Sequence, residues 1–378
     1  MTQILHHTLL QNGEQSLVLY GRGERTEDPG TVRIGTELLG KINGARAKLT
    51  GYRYNGCELE TTALIHRLKR EAPDVVHLQC INGNFVNIHR LISFLKERQI
   101  PTVLTLHAEF MYTANCSHAF DCLKWETGCG DCPSLRSQTH SVKFDRTAQS
   151  WRQMELAFQG FDTLSVVPVS PWQESRAARS PFFQGKRIRT ILNGVDTSVF
   201  HPIRALPNDP VRRVLYVTPN FDPKPGHNKG GEYLYPLAAL LGTRFKIIAV
   251  GPGNWGLPPS NVELIGPVYD RLALARLYAE ADVTLLTSRR ETFSLITAES
   301  LCCGTPVVGF SAGGPESIAI SKYSRFCPHG QLDAIYDAIC NLPSYDRFEI
   351  AAEAERLYGK DRMIQEYLDE YEKVRKYH

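Results

Sequence analysis

No stretch of this 378-residue chain runs eighteen or more apolar residues together, so no segment reads as a membrane-spanning helix. The opening residues, Met1 to His7, lack a charged region followed by an apolar run, which excludes the pattern of a secretory leader. Internal repeats and low-complexity tracts are missing too. Neither sign of charge dominates: 43 Lys and Arg stand against 40 Asp and Glu, a net charge of +3. A nucleic-acid partner would call for a concentrated basic face, which so mild a balance does not supply. These absences point to a cytoplasmic globular protein. Two local basic groups, Lys41, Arg46, Lys48 and Arg53, and Arg176, Arg179, Lys186, Arg187 and Arg189, read first as solvated surface. They leave open a peripheral contact with anionic lipid at the inner face of a membrane.

What the chain does have is cysteine, ten in all. In a cytoplasmic setting these are reduced thiols or metal ligands rather than disulfides. Four of them, Cys116, Cys122, Cys129 and Cys132, follow the spacing C-x5-C-x6-C-x2-C, with His118 as a spare ligand. Four soft ligands ending in C-x2-C suit a structural, tetrahedral zinc. Free thiols, or two disulfides bracing a loop, fit the same spacing, and the choice stays open. The other six, such as Cys302 and Cys303, read as small buried residues.

Short β-branched runs alternate with helical patterns from end to end. Strands are expected at 16–20, 74–80, 102–107, 164–170 and 187–192, then at 211–218, 245–251, 262–266, 282–288 and 305–310. Helices are expected at 2–11, 59–71, 88–98 and 269–280, and an amphipathic one at 361–376. This alternation predicts an α/β protein with parallel sheets covered on both faces, in two doubly wound, Rossmann-like domains. The junction is expected within 201–210, where three prolines interrupt any helix or central strand. The domains are then 1–204 and 205–360, with a terminal helix, 361–378, that packs back on the first.

The chemistry concentrates at 291–299. Glu291 follows a strand and precedes a helix expected to start near Phe293 or Ser294, and Glu299 lies one to two turns into that helix. N–H groups of Phe293, Ser294 and Leu295 at the helix start suit a diphosphate. A carboxylate at Glu299 can accept from both hydroxyls of a ribose, and Glu291 would face a sugar hung from the phosphate. Two surface glutamates flanking a helix are the plain alternative. The strand–loop–helix setting, closed by Gly304 before Thr305 and Pro306, favours the site.

This run resembles glycosyltransferase family 4, whose members carry Glu, seven residues, then Glu. Asn193-Gly194-Val195-Asp196 with Phe200 and Pro202, Lys229-Gly230, the glycine turn at Gly251 and Gly253, and Ala281-Asp282-Val283 before Thr287-Ser288 extend the resemblance over nearly the whole chain. It implies the GT-B architecture, two Rossmann-like domains facing a central cleft. The implied activity is a retaining transfer of a hexosyl group from a UDP- or GDP-type sugar to a saccharide or lipid-linked acceptor. Capsule or another cell-surface polysaccharide is the implied setting. Lys229 would neutralise the donor diphosphate, with Lys224 standing where the family often has arginine. His107, at the end of a strand, matches the histidine pointed at the transferred sugar. Ala108 replaces the aspartate that often follows it, so any such carboxylate role is missing or moved to Glu109. No Asp-x-Asp of the metal-dependent type is present, so no catalytic metal is expected. A similar Cys-rich insert with tryptophan, here Trp125, occurs in some bacterial members. The family's opening strand and glycine-rich turn have no counterpart, so an N-terminally truncated form with poor or absent turnover is expected. A non-catalytic sugar-nucleotide-binding protein and a sugar-nucleotide 2-epimerase on the same fold are the alternatives.

Overall fold

A computed structural model describes residues 1–204 and 211–376. The chain divides into two compact units, residues 1–191 with 364–378 and residues 192–363. Of the junction expected at 201–210, residues 205–210 lie outside the described residues, and 201–204 belong to the second unit.

The first unit contains six parallel strands in two sheets. β1 (Val18–Tyr20) pairs with β2 (Thr31–Arg33). The other four, β3 (Val76–Leu78), β4 (Thr102–Leu106), β5 (Leu164–Pro168) and β6 (Arg187–Ile188), pair in that order. β4 and β5 are buried along their whole length, as their unbroken apolar runs require of a sheet covered on both faces. The amphipathic helix Ile88–Glu97 packs Ile88, Leu91, Ile92 and Leu95 into this core.

The second unit is a single six-stranded sheet. Its strands are β7 (Arg212–Val217), β8 (Phe245–Val250), β9 (Val262–Gly266), β10 (Val283–Leu286), β11 (Val307–Phe310) and β12 (Ser324–Cys327). They lie in the order β12-β11-β10-β7-β8-β9, all parallel. This is the order of a dinucleotide-binding sheet, with its reversal between β7 and β10. Val214, Ile247, Val283, Leu285, Val308 and Phe310 from the strands meet Leu234, Leu237, Ile335 and Ile339 from the helices in one core. The fold is thus α/β with two Rossmann-like units, as expected from the strand–helix alternation.

The last helix, Lys360–Lys376, crosses from one unit to the other in sequence, and residues from Ile364 onward belong to the first. Glu370 is fully buried there. It accepts from Ser165 Oγ at 2.5 Å, Arg187 Nε at 2.7 Å and Arg189 Nη1 at 3.3 Å. His77 bonds Tyr371 Oη and Thr105 Oγ1, each at 2.7 Å, and Tyr367 Oη reaches the same Thr105 hydroxyl.

Candidate active site

Adjacent strands whose connections leave in opposite directions open a crevice at their carboxyl ends. β7 and β10 are such a pair, with Val214 opposite Val283. Lys229 lies on the loop after β7 and Glu291 on the loop after β10. Their Nζ and Oε1 atoms are 2.6 Å apart, with side chains 25% and 17% exposed. The pair is therefore partly desolvated yet reachable. The two loops are stitched together by their backbones: Arg289 N donates to Asn228 O at 2.8 Å, and Thr287 Oγ1 donates to Lys229 O at 2.8 Å. Gly230 makes the stitch feasible. Its φ is +63°, and a Cβ there would stand 2.0 Å from the Thr287 carbonyl oxygen.

A third loop, after β11, backs the second carboxylate. Glu291 N donates to Ala312 O at 3.0 Å, and Gly314 N donates to Glu291 O at 2.9 Å. The Glu316 carboxylate accepts from the amides of Ala312 and Gly313 at 2.9 and 2.8 Å, which fixes the turn. Gly314 lies so close to the next loop that a Cβ would meet Phe293 N at 2.6 Å. Gly-Gly-Pro-Glu, two residues after a strand, is the sequence signal for this turn.

The helix after Glu291 spans Leu295–Cys302, and Ser294 is its N-cap, its Oγ accepting from Thr297 N at 3.3 Å. The start is thus later than the expected Phe293 or Ser294. Phe293 is buried outside the helix, and Leu295 is the first helical residue. The shift follows from Ser294 itself, whose φ of +82° no helical residue adopts. Glu299, half-buried further along this helix, stands beside Arg271 and Tyr278. Burial pushes its carboxyl up to about 7, and the Arg271 charge and the Tyr278 hydroxyl offset part of that rise.

Gly251 follows β8 with φ +135°, and a Cβ there would lie 1.9 Å from Thr218 O, so backbone rather than side chain lines that strand end. Lys224 is exposed on the loop that leads to Lys229, its amide donating to Asp222 Oδ1 at 3.0 Å.

His107 belongs to the first unit, directly after β4. Its Nε2 lies 3.3 Å from Gln79 Oε1, and burial pushes the imidazole down to about 4, which keeps it neutral near pH 7. Glu109 takes no open position. It is fully buried, paired with Arg176 at 2.9 Å and 3.8 Å from His118, so the carboxylate role assigned to it is not available at a surface. Members of the second basic group are paired as well. Arg176, Arg179, Arg187 and Arg189 each face a carboxylate: Glu109, Glu126, Glu370 and Glu370. Among the six remaining cysteines, Cys57, Cys302 and Cys303 are buried, but Cys80 is exposed and Cys327 and Cys340 are half-buried. Among the described residues no helix is long and apolar enough to cross a membrane.

Residues 214–344, which carry most of β7, all of β8 to β12 and both glutamates, match the family model described as glycosyl transferases group 1. This domain-sized stretch is similar to the group 1 glycosyltransferases. The similarity of the chain reaches beyond this domain. It is 24% identical over 322 residues to the putative colanic acid biosynthesis glycosyl transferase WcaC of Escherichia coli, covering 80% of this chain and 77% of that one. It is 33% identical over 147 residues to the D-inositol 3-phosphate glycosyltransferase of Mycolicibacterium gilvum, covering 34% of this chain and 32% of that one. In fold it is similar to sucrose-phosphate synthase from Thermosynechococcus elongatus, with a TM-score of 0.67 at 17% identity, over 99% of this chain and 92% of that one. Anabaena Alr3699/HepE, solved in complex with UDP, superposes with a TM-score of 0.61 at 14% identity, over 94% of this chain and 98% of that one.

Proposed function

We propose that this chain transfers a hexosyl group from a nucleoside diphosphate sugar to a saccharide or lipid-linked acceptor, with retention, in cell-surface polysaccharide synthesis. The observation that carries the reading is the Lys229–Glu291 pair at the strand-order reversal, set beside a capped helix that bears Glu299. The Lys229 ammonium supplies the cation that a departing diphosphate needs. The first-turn amides of the helix at Leu295 add fixed dipoles of the same sign. Glu299, once ionised, accepts from the paired hydroxyls of a ribose. Glu291, held through both its backbone N–H and its carbonyl, presents a carboxylate to the hydroxyls of the sugar. The resemblance to WcaC supports the polysaccharide setting, and UDP in the HepE structure supports a nucleotide donor.

Calorimetry and thermal shift against UDP, GDP, ADP and their common sugars test the reading. A native-state ligand at about 100 times its Kd stabilises by about 2.7 kcal/mol. One nucleotide should shift the melting point, and Glu299→Ala should abolish the shift. No shift with any nucleotide on a folded sample overturns the proposal. With the donor in hand, NMR of the product should show the donor's anomeric configuration, and an inverted product would rule out retention.

A further inference from the structure

The long connection between His107 and the helix Thr147–Phe158 holds little regular structure, only the short helix Phe110–Thr113 and one turn at Lys124–Glu126. A connection of that length is uncommon in a compact domain unless something braces it. Part of the brace is visible. Trp125 is buried, its Nε1 donating to Cys122 O at 2.8 Å, and Trp151 Nε1 donates to Trp125 O at 2.8 Å. Arg176, held by Glu109, lies over the Trp125 ring at 5.2 Å.

Beside Trp125, Cys116, Cys122, Cys129 and Cys132 line one small cavity of about 20 Å³. That is space for a single water or ion. All four are free thiols, and His118 is absent from the lining. The turn that carries the last pair is fixed by hydrogen bonds. Gly130 and Asp131 take φ of +139° and +44°, Lys124 Nζ donates to the carbonyls of both at 2.9 and 2.8 Å, and Asp145 holds Cys132 N at 2.7 Å. Cys129 Sγ also donates to Thr113 O at 3.8 Å.

We infer that Cys116, Cys122, Cys129 and Cys132 bind one structural zinc ion that cross-links the loop following His107. Among the described residues no three His, Cys, Asp or Glu side chains already stand in ligating geometry. Binding therefore releases the four thiol protons to solvent and draws the sulfurs inward to Zn–S distances of about 2.3 Å. Four thiolates and one Zn²⁺ leave a charge of −2, beside which Arg53 and Lys124 stand as cations. The ion has no part in transfer chemistry.

The full chain, expressed with zinc and purified under reducing conditions, tests the assignment by elemental analysis and native mass spectrometry. The expected result is about one tightly held zinc per chain, released in step with modification of the thiols. Replacement by cobalt should give the visible bands of a tetrahedral cobalt–thiolate site, a readout of the native chain that needs no variant. Cys129→Ser with Cys132→Ser should lose the metal, while Cys340→Ser, outside the cluster, should keep it. Fewer than about 0.1 zinc per chain after reconstitution overturns the inference. So does a disulfide between any two of the four cysteines in peptides mapped without reduction.

Discussion

At the scale of single residues, Glu299 carries the most informative chemistry. Its raised pKa means that the folded chain holds a proton that the unfolded chain releases at lower pH. Folding stability from this group therefore declines as pH rises from the usual carboxylate range to about 7. Binding has the opposite sign, because a ribose needs the ionised form as a double acceptor. Nucleotide affinity should be flat above pH about 7 and weaken toward tenfold per pH unit below it. Titrations across this range should show the slope in the parent chain and a flat residual in Glu299→Gln once the phosphate's own titration is subtracted. An unchanged slope in the variant would place the titrating group elsewhere. The two glutamates were legible as candidates from a strand, a loop and a helix start written locally, and Lys229 through the family resemblance. The pKa of Glu299 was not, since it depends on Arg271 and Tyr278, which only the fold brings beside it.

At the scale of elements, the helix Leu295–Cys302 depends on a cap that is also strained. The hydroxyl of Ser294 takes the Thr297 amide, while its backbone sits at φ +82°, ψ 90°, a region costly for any residue with a Cβ. The two effects separate by substitution. Ser294→Ala keeps the strain and loses the cap, and should cost about 1 kcal/mol in denaturant unfolding. Ser294→Gly loses the cap but relaxes the backbone, and should come within a few tenths of a kcal/mol of the parent. Equal losses in both would mean that the strain is absent. The sequence reading started this helix early because apolar spacing marks a helix's face better than its first residue, and a positive φ at serine has no local signature. Ten expected strands form, nine of them shortened at one or both ends and Val262–Gly266 as expected. β2 and β12 went unread: Thr-Val-Arg and Ser-Arg-Phe-Cys are too short and too polar to stand out from loop.

At the scale of the whole molecule, the last helix is the long-range tie of the first unit. Glu370 brings one fully buried carboxylate to Arg187, Arg189 and Ser165, and burial of that kind is strongly destabilising once a partner is removed. Glu370→Ala should lower stability by about 3 kcal/mol, and trypsin should release the C-terminal segment faster. A variant as stable as the parent would show that the helix is held by its apolar face alone.

The sequence by itself determined the fold class and most strands and helices, because periodicity and turn residues act over a few residues. The tertiary structure decided the rest. It set the strand order that puts the loops after β7 and β10 at one reversal point. It buried Glu109 against Arg176, paired Arg187 with the buried Glu370, and gathered four cysteines around one cavity. Those outcomes depend on which distant segments share a core and which charges must be neutralised there, and local pattern carries no record of either.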